Sequence, residues 1–224
     1  MEVEDLAKSN SKPVPKLREV SVVKQGRTIA SCNRRELMWM AAVIVVGGVA
    51  KGYWGSVRFI TEALFGPFSS AVLSGFFYMW GILAAFAIRK FGAGTLTMTI
   101  GAYIELLAGN PFGQLVYVYD FLEGLCADIA FAIFRYKLPS NRTKALLVSG
   151  LIGVIMRLLH WPDQIFFFGY IKQPPATLAF LIGSSAVAMF FWGMITLGIY
   201  RSLIRLHLVP FVPPDQMSLV AQAK

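Results

Sequence analysis

The chain has 224 residues, of which 56% are hydrophobic and 15% charged, with a mean hydropathy of +0.61. Soluble domains carry about 25% charged residues, so this composition excludes an ordinary soluble enzyme or binding module and indicates a polytopic membrane protein. The formal charge of +9 is not that of a nucleic-acid binder. Its basic residues stand in short runs between apolar stretches, as the positive-inside rule expects at the ends of membrane spans.

The first 35 residues form a hydrophilic tail with eight Lys or Arg, closing on Arg34-Arg35. The tail lacks the apolar core of a cleavable signal, and its end is expected to lie on the membrane surface. A crossing takes about 20 apolar residues, and six candidate spans follow. They run from about Leu37 to Tyr53, Ser69 to Ile88, Gly92 to Ala108, Gly113 to Phe134, Ala145 to Leu159 and Thr177 to Tyr200. Gly66-Pro67 marks a break before the second span, and Gly109-Asn110-Pro111 is a turn signal after the third. Arg89-Lys90, Arg135-Tyr136-Lys137, and Arg201 with Arg205 stop the second, fourth and sixth. Between His160 and Pro175 the sequence is mixed, with Trp161-Pro162 and Pro174-Pro175 as punctuation. The expected fold is all-α: a basic tail over 1–35, a six-helix membrane bundle over 36–208 and a second tail over 209–224.

Orientation follows from counting. With the N-terminus inside, 17 of the 21 basic residues fall in inner segments, and only Lys51, Arg58, Arg157 and Lys172 fall in the outer half. The bias predicts a multi-pass cell-membrane protein with both termini in the cytoplasm.

Acidic residues within spans cost about 2.5–3.5 kcal/mol each on insertion scales and invite a functional reading. Glu105 stands near the outer end of the third span, and Asp120, Glu123 and Asp128 stand along the fourth. At about 100° per residue, Glu123 and Asp128 fall about 60° and about 80° from Asp120, so one broad face can hold all three. Two readings are open. The acids pair internally with Lys51, Arg58 or Arg157, or they form an acidic pocket for a cationic or amine-bearing ligand. Tyr53, Trp54, Tyr103, Tyr117, Tyr119 and Trp161 cluster at outer span ends. They suit an interfacial belt, or a few of them, Trp54 first, stack on a flat heterocycle. Gly48, Gly52 and Ser56 form a small-residue face on the first span that admits a close partner, internal or in another subunit. Cys126, inside an apolar span, reads as a small packing residue. No metal site is expected, because His160 and His207 fall on opposite sides of the membrane, and no cofactor is called for.

One region carries a more specific likeness. Ile88-Arg89-Lys90-Phe91-Gly92-Ala93, then Glu105-Leu106-Leu107-Ala108-Gly109-Asn110-Pro111-Phe112-Gly113, resembles the YkoE family. So do Glu123-Gly124-Leu125-Cys126-Ala127-Asp128 and Phe131-Ala132-Ile133-Phe134-Arg135-Tyr136. The closest match covers about a quarter of the chain. That family comprises substrate-binding (S) subunits of energy-coupling-factor (ECF) transporters for thiamine or its hydroxymethylpyrimidine precursor. The resemblance implies a six-helix bundle that captures a vitamin at its outer face. It also implies a transmembrane coupling subunit and cytoplasmic ATPase subunits as partners. Glu105 matches the family's acid before the turn, and Asp128 matches an acid usually written Glu. Glu123 stands where the family often has Gln, and Phe77 where it often has Trp. Taking the residue reading and the resemblance together, the expected ligand contacts are Glu105, Glu123, Asp120, Asp128, Trp54, Asn110 and Tyr117, and the small-residue face of Gly48, Gly52 and Ser56 is the expected docking face.

The alternatives are a self-sufficient carrier or channel for a cationic amine, and an intramembrane enzyme. Against the enzyme, no nucleophile–base pair is visible, and His160 lacks an obvious partner. No Walker motif is present, so ATP hydrolysis would come from partner subunits.

Overall fold

The structure is a computed structural model that describes residues 28–139, 141–167 and 169–209. Most of the basic tail, and the C-terminal segment with Lys224, lie outside the described residues.

Among the described residues, seven α-helices make six crossings. Helix α1 spans Arg34–Phe65, α2 Pro67–Leu73, α3 Gly75–Ile88, α4 Ala93–Leu107, α5 Leu115–Ile133, α6 Arg142–Phe167 and α7 Pro175–Arg205. Helices α2 and α3 run in line as one apolar span over Pro67–Ile88. Together with α1, α6 and α7, that makes four crossings long and apolar enough for a membrane by length and composition. The remaining two fall short for different reasons: α4 is apolar but has only 15 residues, and α5 carries Asp120, Glu123 and Asp128 within 19 residues.

Turn chemistry sets the boundaries. Gly66 adopts φ 73°, a left-handed value that glycine takes without a side-chain clash. Pro67 then opens α2, where its missing N–H costs nothing. The expected break at Trp161-Pro162 does not occur, and α6 runs on through Pro162 to Phe167. Inside a membrane bundle, neighbouring groups can re-satisfy the backbone that proline frees, so a helix can continue past it. The span between α2 and α3 is interrupted at Ser74. There the indole N–H groups of Trp192 and Trp54 donate to the carbonyls of Val72 (3.0 Å) and Leu73 (3.1 Å).

The core centres on α3, where Ile82, Ala84, Ala85 and Phe86 are fully buried. Phe86 meets Phe131 of α5 edge-on at 4.8 Å and stacks on Tyr200 of α7 at 5.8 Å. Val45, Val46 and Val49 of α1, and Phe180, Val187 and Phe191 of α7, are exposed. Apolar exposure on that scale belongs against lipid.

The expected docking face of α1 is largely taken from within. A side-chain carbon at Gly48 would run into Ile104 and the Gly101 carbonyl, and one at Gly52 into Ala108. Both glycines therefore seat α4 against α1, and only Ser56 of the three is exposed. This corrects the docking assignment of Gly48 and Gly52, since small residues serve close packing inside a bundle as readily as between subunits.

Alternate helices reverse direction, so Arg34, Arg35, Arg89, Lys90, Arg135, Lys137, Arg142, Lys144, Arg201 and Arg205 gather at one end of the bundle. There the entering chain is clasped to the α3–α4 turn. Ile29 N–H donates to the Phe91 carbonyl at 3.0 Å. Lys90 donates to the Ser31 carbonyl at 2.9 Å and to Glu36 at 2.7 Å. Glu36 also accepts from the Asn33 backbone N–H at 2.7 Å, closing the start of α1.

Candidate functional site

The opposite end holds a charged cleft built by α1, α3, α4, α5 and α6. Its acids come from neighbouring helices: Glu105 from the last turn of α4, and Asp120 and Glu123 from one face of α5, three residues apart. The turn after α4 lends Asn110 and Phe112, and α1 lends Arg58. Phe77 of α3, Val116 and Tyr119 of α5, and Gln164 of α6 complete the lining of a cleft with a cavity volume of about 30 Å³.

Beneath the lining, Lys51 of α1 is almost fully buried, at 1% exposure. Its ammonium reaches Glu105 Oε2 at 2.6 Å and bonds Asp120 as well. Glu105 also accepts from the Asn110 side-chain amide. The Asn110 carbonyl oxygen in turn accepts the Phe112 backbone N–H at 2.8 Å. The turn that carries Phe112 is thus tied to the acid it covers. Buried charges are tolerated when paired and hydrogen-bonded, and Glu105 and Asp120 meet that condition through Lys51. Glu123 does not. It is buried, it lines the cleft, and its Oε2 has no hydrogen-bond partner among the described residues.

Arg58 closes one side. Its Nε donates to Ser70 Oγ at 2.6 Å and lies 4.0 Å from Glu62, and its guanidinium sits over the rings of Phe112 (5.1 Å) and Phe77 (5.7 Å). Internal pairing through Lys51 accounts for Glu105 and Asp120, while Glu123 faces the cleft.

Of the residues expected to touch a ligand, Glu105, Asp120, Glu123 and Asn110 come together in the cleft. Three do not. Asp128 lies more than two turns along α5 and accepts from Gly94 N–H (3.1 Å), Thr95 N–H (2.8 Å) and Thr95 Oγ1 (2.7 Å). A helix N-terminus presents unpaired N–H groups and a positive dipole end, so Asp128 caps α4 near the basic end. Trp54 stacks on Phe76 at 4.5 Å between ring centroids and faces the α2–α3 break. Tyr117 packs against Tyr103 at 4.5 Å, away from the lining.

Gln164 is the lining residue with no signal in the sequence, because it lies in the stretch that reads as mixed loop and only becomes a wall once α6 continues past Pro162. His160 does have partners: its Nδ1 meets the Tyr78 hydroxyl at 2.6 Å, and its Nε2 lies 3.1 Å from Asp163. No group of three His, Cys, Asp or Glu side chains suited to a metal ion occurs among the described residues.

A helical bundle with four helices long and apolar enough to cross a membrane, closed around a charged cleft at one end, is the architecture of a multi-pass membrane transport subunit. The chain belongs to the family described as "ABC-type cobalt transport system, permease component", which matches residues 35–156, more than half of its length. Its fold is that of an S-component of an ECF transporter known from a crystal structure. The TM-score is 0.75 over 85% of this chain and 94% of that one, at 23% identity. It is also similar to YkoE of Bacillus subtilis (strain 168), a protein named as an HMP/thiamine permease. The two are 26% identical over 148 residues, which cover 66% of this chain and 72% of YkoE.

Proposed function

We propose that the chain is the substrate-capturing S subunit of an ECF-type importer, and that its ligand is thiamine or the hydroxymethylpyrimidine precursor. The observation that carries this reading is Glu123, a buried carboxylate facing the cleft with an unpaired oxygen beside a Glu105–Lys51–Asp120 cluster. A desolvated carboxylate without a partner favours a cation, and thiamine brings a thiazolium. Glu105, oriented by Asn110, suits the amine of an aminopyrimidine, where a charge-assisted hydrogen bond fixes orientation. The name of the Bacillus relative agrees with that chemistry. The family's description mentions cobalt, but two of the cleft's three carboxylates are already engaged by an ammonium, and no imidazole or thiol lines it. A single remaining carboxylate is a poor donor set for that metal.

The cleft is narrow, and a two-ring ligand would enter by swinging the Gly109–Gly113 turn and Phe112 outward. Both glycines have positive φ. Purified in detergent, the protein should bind thiamine and hydroxymethylpyrimidine in calorimetric titration, and cobalt should not compete. Reconstituted alone it should import neither, because the sequence has no nucleotide-binding motif. Adding a transmembrane coupling subunit and cytoplasmic ATPase subunits should restore ATP-driven uptake. Binding of cobalt without either organic ligand would sink the reading.

The proposal places the basic end in the cytoplasm and opens the cleft outward. Single cysteines near Asn110 and Gln173 should react with an impermeant thiol reagent applied to intact cells, and one near Asn141 should not. Outside labelling at Asn141 would reverse the orientation and put the cleft on the wrong side for capture.

A further inference from the structure

The acidic cleft is nearly filled by the protein's own side chains. Its cavity of about 30 Å³ has room for about one water, whereas sites that bury a drug-sized ligand hold about 300–1,000 Å³. One of the side chains that fill it resembles the expected ligand. Arg58 lies among the lining residues with Glu123, and its guanidinium faces the rings of Phe112 at 5.1 Å and Phe77 at 5.7 Å. A guanidinium is a flat, delocalised, weakly hydrated cation, and both distances fall within the about 6 Å over which a ring face attracts a cation. A thiazolium is also a flat cation, so the same two faces suit it for the same reason.

The two cations that α1 sends to this end differ in how firmly they are placed. Lys51 and Arg58 stand about two turns apart on one side of the helix. Lys51 is 1% exposed and bonds Glu105 and Asp120. The Arg58 side chain is 11% exposed, and its own helix offers it a second place. Glu62, one turn nearer the end of α1 and 34% exposed, holds a carboxylate oxygen 4.0 Å from Arg58 Nε. Rotation about the bonds of the stem would carry the guanidinium off the rings to that carboxylate. The two rings differ as well. Phe77 is fixed in the buried core, while Phe112 rides on the turn between Gly109 and Gly113, both at positive φ.

We infer that Arg58 is a built-in stand-in for the ligand's charged ring. Its guanidinium covers the faces of Phe77 and Phe112 in the empty protein, and a flat cation enters as Arg58 withdraws to Glu62. The exchange replaces one delocalised cation by another beside Glu123, so a neutral ring gains less from it than a charged one. A side chain that must withdraw before binding lowers the apparent affinity by the fraction of molecules already open. This rests on the proposed thiamine-type reading of the cleft and adds the residue that governs which ring is admitted, and how fast.

Stopped-flow association with the purified full chain tests this, using thiamine and its neutral analogue in which carbon replaces the thiazolium nitrogen. Arg58→Ala should bind both at least about tenfold faster than wild type, the factor expected when about 10% or fewer of the empty molecules are open. Arg58→Lys keeps the charge but not the flat group and should be faster by a smaller factor. Guanidinium ion at millimolar concentration should slow Arg58→Ala back toward the wild-type rate and leave wild type unchanged. If the ligands bind and Arg58→Ala is no faster, the stand-in is overturned and the cleft reading stands. The same holds if only thiamine is faster, because lost repulsion alone would do that. If neither ligand binds any form, the thiamine reading fails, and a measurement without ligand decides the stand-in. Val116→Cys, at a buried lining position, should react with the small, uncharged methyl methanethiosulfonate about tenfold faster when combined with Arg58→Ala than alone. Equal reactivity overturns the stand-in. Arg58→Lys carries the same comparisons if Arg58→Ala fails to fold.

Discussion

Glu123→Gln is expected to lower thiamine affinity by about 10- to 100-fold and hydroxymethylpyrimidine affinity by less than about threefold. The substitution keeps the shape of the side chain and removes only its charge. Glu123 is the lining carboxylate that Lys51 does not bond, with one oxygen unpartnered, so it is the group left to answer a ring cation. A hydrogen bond to a charged group is worth about 1.5–3 kcal/mol, which converts to that range of affinity. The pyrimidine precursor has no ring charge and loses little. Glu105→Gln should weaken both ligands, because Glu105 is oriented by Asn110 and is assigned to the amine that both share. Titrating both ligands against both variants is the check, and equal losses at Glu123 would show that no carboxylate there reads the ring charge.

Lys51→Met should have the larger effect on the fold itself. It would leave Glu105 and Asp120, which now share one ammonium, as two acids in a nearly dry environment. Removing one partner of a buried charge network costs about 3–5 kcal/mol, enough to lower the unfolding temperature in detergent by many degrees. The double variant Lys51→Met with Asp120→Asn should recover much of that loss, since it removes a charge of each sign. A Lys51→Met protein that melts like wild type would mean that the ammonium is not what holds the two carboxylates.

The crossings and their order could be read from the sequence because apolar length, basic stops and Gly-Pro punctuation are local signals. Gly66-Pro67 and Gly109-Asn110-Pro111 fall at helix ends for the backbone reasons that make them signals. Pro162 misled because a rule drawn from helices in water does not hold where neighbours supply the missing bonds. The site was legible in part. The three-residue spacing of Asp120 and Glu123 puts both on one face, and Glu105 lies at the matching height of an adjacent helix. Which acid Lys51 neutralises is a tertiary fact, decided by how α1 seats on α4 through Gly48 and Gly52. Asp128 shows the limit of facial arithmetic, because the angle around α5 was compatible with the cleft and its height along the helix matched the start of α4. The Arg157–Tyr78–His160 arrangement joins residues about 80 positions apart, and no spacing rule links α3 to α6.

The buried Lys51 cluster also bears on how the chain is made. Helix α1 leaves the ribosome before α4 and α5, and it enters the membrane with a lysine whose partners lie 54 and 69 residues downstream on those two helices. A lone central charge raises the insertion energy of a span by about 2.5–3.5 kcal/mol. Until α4 and α5 are synthesised, α1 therefore sits in lipid at a disadvantage, with its ammonium drawn toward the headgroups. The arrival of Glu105 and Asp120 removes that penalty for all three helices at once. Assembly of the ligand-facing end is thereby tied to completion of α5, and a chain truncated before that helix would leave α1 poorly anchored and open to quality-control proteolysis.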